Sequence, residues 1–142
     1  MEQQDYLKRQ IDQMAKVLGK IIADITGLKD QGKVNEGMEI ADQTMKSELA
    51  LDMGDLLKIP KNEFIDTLIN KKQVHNENLE QFAEMLSELA DGWLKQDAGE
   101  KAKDLYEKAL AIYEYLEETG SAFSFGRNMK KQNINNIIQE IG

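Results

Sequence analysis

The chain has 142 residues, one proline, no cysteine and a formal net charge of −8, a length that fits one domain with a single substantial core. The missing cysteine excludes disulfides and thiolate metal sites and suits a reducing compartment. No run approaches the roughly 18 apolar residues of a membrane span, and no charged-then-apolar leader opens the chain. A cytoplasmic protein without a membrane partner is the expectation.

Abundant Ala, Leu, Lys, Glu and Gln, with few strand-type runs, predict an all-α protein. The charge is uneven. Residues 77–118 carry 4 basic and 12 acidic side chains, net −8, whereas residues 119–142 carry 3 basic and 1 acidic, net +2. An acidic surface repels phosphate backbones, so nucleic acid is not expected as a partner.

In chain order, Leu7, Ile11, Met14, Leu18, Ile21, Ile25 and Leu28 recur at alternating steps of four and three. That is a heptad pattern over three heptads, with Asp5 as a candidate cap. Val17 and Ile22 widen the stripe beyond a strict seam, so the helix either walls the intramolecular core or pairs with a second copy in a homodimer. Gly32 is the expected terminator. A second helix, about Val34 to Leu51, presents Val34, Met38, Ala41, Met45 and Leu49. Residues 52–59 read as a connector with an apolar plug in Leu56, Leu57 and Ile59. Pro60 suits the first turn of a short helix that buries Phe64, Ile65, Leu68 and Ile69. Asn76 or Asn78 is expected to cap the next helix.

The central stretch AEMLSELADGWLKQDAGEKAKDLYEKALAIYEYL, Ala83 to Leu116, is two amphipathic segments with a polar break. Leu79, Phe82, Ala83, Leu86, Leu89, Ala90, Trp93 and Leu94 make one apolar face. Ala102, Leu105, Tyr106, Ala109, Leu110, Tyr113 and Leu116 make the other. Asp97-Ala98-Gly99 between them, with Gly99 as terminator, forces the helices to fold back antiparallel. Ala90, Ala102 and Ala109 allow close approach of the axes. After Gly120, with Ser121 as a cap candidate, Phe125, Met129, Ile134, Ile137, Ile138 and Ile141 mark a terminal helix that covers the exposed edge of the hairpin.

The central stretch resembles a tetratricopeptide repeat (TPR), a helix–turn–helix unit of about 34 residues. Leu86, Leu89, Ala90, Trp93, Ala102, Tyr106 and Ala109 carry the resemblance, while Glu114 stands where the family usually has Pro. The opening DYLKRQIDQMAKVLGKI and the late SFGRNMKKQNI are similar to a family of small bacterial TPR-like proteins that brings no established activity with it. The resemblance implies one TPR-like helical domain over residues 1–142: about six helices in antiparallel hairpins with a C-terminal capping helix.

Nothing in the sequence marks catalysis. His75 is the sole histidine, and the residue three before it is Lys72, so the Glu-x-x-His and paired-His patterns of helical metal sites are missing. No Gly-rich phosphate loop is present, and no cofactor or metal is expected. One polar constellation remains. Glu84, Ser87, Glu88, Asp91 and Lys95 lie at offsets of three, four, seven and eleven, on the face opposite the apolar stripe. The resemblance implies that this face lines a concave groove, here acidic and suited to a basic or polar peptide or protein partner. A non-catalytic interaction module is therefore the leading expectation. The alternative is a small helical enzyme or ligand-binding regulator using buried carboxylates. Arg127, Lys130 and Lys131 form a basic cluster whose candidate counterparts are nucleic acid, anionic lipid or the acidic hairpin of a second subunit, three charges being few for the first two.

Overall fold

A computed structural model describes residues 2–120 and 125–142, and among them all regular structure is helical. Seven α-helices follow one another: α1 (Glu2–Asp30), α2 (Val34–Leu49), α3 (Met53–Lys58), α4 (Lys61–Asp66), α5 (Asn76–Lys95), α6 (Gly99–Glu118) and α7 (Phe125–Ile141). A π-helical turn, Thr67–Lys71, continues α4. The count exceeds six because the expected connector is itself a helix. Asp52 accepts a hydrogen bond from the Asp55 N–H at 2.8 Å, and Asp55 accepts one from the Asp52 N–H at 3.0 Å. This reciprocal cap satisfies two donors that a helix of one and a half turns would leave bare. Pro60 precedes α4 in an extended conformation instead of sitting in its first turn.

Helix ends follow one physical rule with different residues. Gly32, at φ 74, closes α1: the Lys33 N–H bonds to the Leu28 carbonyl at 2.7 Å and the Gly32 N–H to the Lys29 carbonyl at 3.0 Å. The end of α5 repeats the pattern, with Ala98 N–H on the Trp93 carbonyl at 2.9 Å and Asp97 N–H on the Leu94 carbonyl at 3.1 Å. There the left-handed residue is Asp97 (φ 60), and Gly99 opens α6. Aspartate is among the few side chains that tolerate this conformation, so the expected terminator lay two residues too late.

Helix α5 packs against α6, α1 and α2, and its apolar face, Leu79, Phe82, Ala83, Met85, Leu86, Leu89 and Ala90, is buried. Where α2 crosses, Gly92 lies against the Met38 side chain: a Cβ there would stand 3.2 Å from Met38 Cγ, so Met38 would have to shift to admit it. Trp93 is half-buried, with the Lys101 ammonium 4.4 Å from its ring centroid. Neither expected asparagine caps α5. His75 precedes the helix, and the buried Asn78 instead donates its amide to the Ile11 carbonyl of α1 at 3.0 Å. One turn on, Gln81 donates to the Ala15 carbonyl at 3.0 Å.

Helix α1 starts at Glu2, with Asp5 inside its first turn. Its heptad stripe divides: Leu18, Ile21 and Ile25 are buried, Ile11 and Met14 are half-buried, and Leu7 is 46% exposed. On α7, Ile134 is buried, and Ile137, Ile138 and Ile141 pack against the core. Met129, expected inward, is 49% exposed. Ser121 lies outside the described residues.

The most unexpected core residue is Lys108 on α6, which is fully buried. Its ammonium donates to the carbonyls of Leu56 (2.6 Å) and Leu57 (3.3 Å) on α3 and to Asp104 Oδ2 at 2.7 Å. A buried cation is tolerated only when paired and hydrogen-bonded, and these three acceptors match its three donors. Lys108→Met keeps the volume but strands the carbonyls at the end of α3. We expect it to cost about 1–3 kcal/mol in a urea titration, the range for an unsatisfied buried acceptor. An unchanged midpoint would show that α3 does not depend on this side chain.

Candidate functional site

A helix repeats every 3.6 residues, which aligns Glu84, Ser87, Glu88 and Asp91 along one line of α5. All four line one groove of about 250 Å³. Its other walls are Tyr106 and Tyr113 of α6 and residues Lys130 to Ile137 of α7. Lys95, the fifth expected member, is exposed in the last turn of α5, one turn beyond Asp91, and is not part of that lining.

The groove carboxylates are not equivalent. Glu88 accepts from Lys29 Nζ at 2.8 Å and from the Thr26 hydroxyl at 3.3 Å. Asp91 accepts from Lys29 Nζ at 3.5 Å and from the Tyr106 hydroxyl. The Ser87 hydroxyl turns back to the Ala83 carbonyl at 3.1 Å. Glu84 forms no hydrogen bond or ion pair with another described residue, although it is half-buried. Burial alone would lower the pKa of Lys29, but the bonds and charges of Glu88 and Asp91 outweigh it and hold the pKa above its ordinary 10.5. Lys29 therefore stays charged and offsets part of the acidity.

The basic residues of α7 meet acids of the same chain. Arg127 is buried and donates to Glu80 Oε1 through Nε (3.2 Å) and Nη2 (2.7 Å). Lys131 pairs with Glu117 at 2.9 Å, and Lys130 lines the groove. The cluster expected to face a second subunit is thus largely engaged within its own fold. Its acidic counterparts lie on α5 and α6, where the central hairpin concentrates negative charge.

Two tyrosines were expected only as apolar contacts. Tyr113 is fully buried, and its hydroxyl has no hydrogen-bond partner among the described residues. Burial, then the charges of Glu80 and Glu84, push its pKa well above the usual value. Tyr106 is raised likewise, by burial first and then by its bond to Asp91. For Tyr106 the signal was its phenolic oxygen, which bonds Asp91: a buried position that needs only bulk accepts Phe. Lys29 gave no such signal, because its partners lie about sixty residues away.

Chemically, the groove offers a carboxylate with no ion pair or hydrogen bond among the described residues, two neutral phenols and two carboxylates shared with a lysine. Among the described residues, no group of three or more His, Cys, Asp or Glu side chains is arranged to hold a metal ion. His75 sits apart, at the start of α5. No family model matches the chain, and neither a curated protein nor a solved structure matches it.

The raised pKa values carry a stability consequence. Tyr106, Tyr113 and Lys29 all hold their protons more tightly when folded than when unfolded. Their contribution is complete below the ordinary tyrosine value of 10.0 and is lost as pH climbs through the folded values. Urea midpoints are expected to be flat up to about pH 9 and to fall steadily by about pH 11. A Tyr106→Phe/Tyr113→Phe protein should lose much of that slope; an equal slope would place its origin elsewhere.

Proposed function

We propose that the chain is a TPR-like, non-catalytic interaction module that binds a basic peptide or protein segment along the α5 groove. In this reading α5 and α6 form the TPR-like hairpin and α7 caps it. The observation that carries the reading is the gathering of Glu84, Ser87, Glu88 and Asp91, with Tyr106 and Tyr113, in one groove. Glu84 supplies the free charge: it is the groove carboxylate with no hydrogen bond or ion pair among the described residues. Lys95 stands outside this lining and would meet the partner beyond the end of the groove. Six of the TPR-like positions, Leu86, Leu89, Ala90, Ala102, Tyr106 and Ala109, are buried and the seventh, Trp93, is half-buried, a pattern that supports this reading.

The rival, an enzyme or regulator built on buried carboxylates, is less well supported. The buried charged side chains among the described residues are Lys108 and Arg127, both cations. The carboxylates of Glu88 and Asp91 retain 23% and 34% of their side-chain exposure. A general acid raised by burial needs a drier site.

The test uses Glu84→Lys, since reversing Glu88 or Asp91 would set two lysines together at Lys29 and disturb the α1–α5 contact. A fluorescent Lys/Arg-rich helical peptide should bind the wild type at low salt and bind Glu84→Lys about tenfold more weakly, the equivalent of about 1.4 kcal/mol. Binding should also weaken as salt is raised, because the attraction is screened. Equal binding by both proteins would reduce the face to solvated surface.

A further inference from the structure

A second cavity shares no residue with the groove. It encloses about 460 Å³ between the N-terminal half of α1, the last turn of α2 and the loop before α5. Its size falls in the range of small-molecule sites, roughly 300–1,000 Å³. Met14, Val17 and Leu49 provide an apolar floor, and Arg9, Lys72 and His75 stand around it. Glu48 is the sole carboxylate of the lining. On a chain of net charge −8, a cavity in which cations outnumber carboxylates is a local inversion of sign.

These cations are not consumed by the fold. Arg9 forms no ion pair or hydrogen bond with another described residue, so all five of its donors remain. Lys72 spends one donor on the Ala50 carbonyl at 3.0 Å, which screens the negative end of α2 and leaves two donors. His75 immediately precedes α5, whose first turn has no side-chain cap, so the partial positive charge of that helix end lies beside the cavity. A planar guanidinium and an ammonium lining one cavity match an oxyanion, bidentate on the arginine. The floor requires that the anion carry an apolar body.

We infer that this cavity binds a small amphipathic oxyanion, its carboxylate or phosphate held by Arg9 and Lys72 and its apolar part laid on Met14, Val17 and Leu49. The inference is independent of the groove, whose chemistry has the opposite sign. It also accounts for a half-buried apolar floor that no neighbouring helix covers.

The test is calorimetric titration of the full chain with decanoate, decyl phosphate and decyltrimethylammonium, which share one tail and differ in head group. At least one anion should bind, and the cation should not; the tighter anion identifies the head group as carboxylate or phosphate. Arg9→Gln should weaken the bound anion by about tenfold to a hundredfold, as expected for a lost charge-assisted hydrogen-bonding group. Lys72→Gln should weaken it less, since one of its donors is already committed. Arg9 is exposed, so its replacement leaves helicity by circular dichroism unchanged. Absence of binding by both anions at millimolar concentration would overturn the inference. So would equal binding of the cation, or an Arg9→Gln protein of unaltered affinity.

Discussion

Two amides of α5, Asn78 and Gln81, donate to carbonyls of Ile11 and Ala15, four residues apart on α1. Both carbonyls belong to helix interior, so the contact asks for their second lone pair and fixes the two helices in rotation as well as distance. The spacing of the donors, three on one helix against four on the other, leaves little freedom of register. With that register set, Lys29 at the far end of α1 falls against Glu88 and Asp91. At the near end, α1 runs past its neighbours and leaves Tyr6 and Leu7 exposed. Both candidate sites depend on this seam: the groove because Lys29 tempers its charge, the cavity because α1 forms one of its walls.

The two sites divide the electrostatics of the molecule. Helices α5 and α6 concentrate the negative charge, yet their groove is less acidic than its composition implies, because Lys29 pairs with Glu88 and Asp91 and Lys130 of α7 lines the groove. A surface ion pair contributes little to stability, about 0–1 kcal/mol. The gain here is placement: Arg127, 4% exposed, locates α7 over α5, and Lys29 locates α1. At the cavity beside α1, by contrast, Arg9 has no ion pair or hydrogen bond among the described residues. Composition alone does not distinguish these cases, since net charge reports neither pairing nor burial.

Much of the fold was legible. The heptad run of α1, the apolar faces of α5 and α6 and the glycine that stops α1 all follow from short-range physics: periodicity, small residues at crossings and a positive φ. The errors were local too, and each has a physical reason. Helix α3 rests on the D-x-x-D cap of Asp52 and Asp55 and, at six residues, is too short to show an apolar periodicity of its own. Asp97 took the left-handed position because aspartate also tolerates it, and the buried amide of Asn78 found a better acceptor across the interface than at its own helix end.

The sequence by itself determined the helical class, the core faces of the long helices and the alignment of Glu84, Ser87, Glu88 and Asp91, because these depend on residues within a few turns of one another. Only the tertiary structure decided what faces them. Lys29 meets Glu88 across 59 positions, Lys108 meets Leu56 across 52, and Arg127 meets Glu80 across 47. No periodic pattern encodes such pairings; they follow from packing several helices on one core, which fixes where each long side chain can reach. The same holds for Arg9, which the chain keeps more than sixty positions from Lys72 and His75 and the fold sets with them around a single cavity.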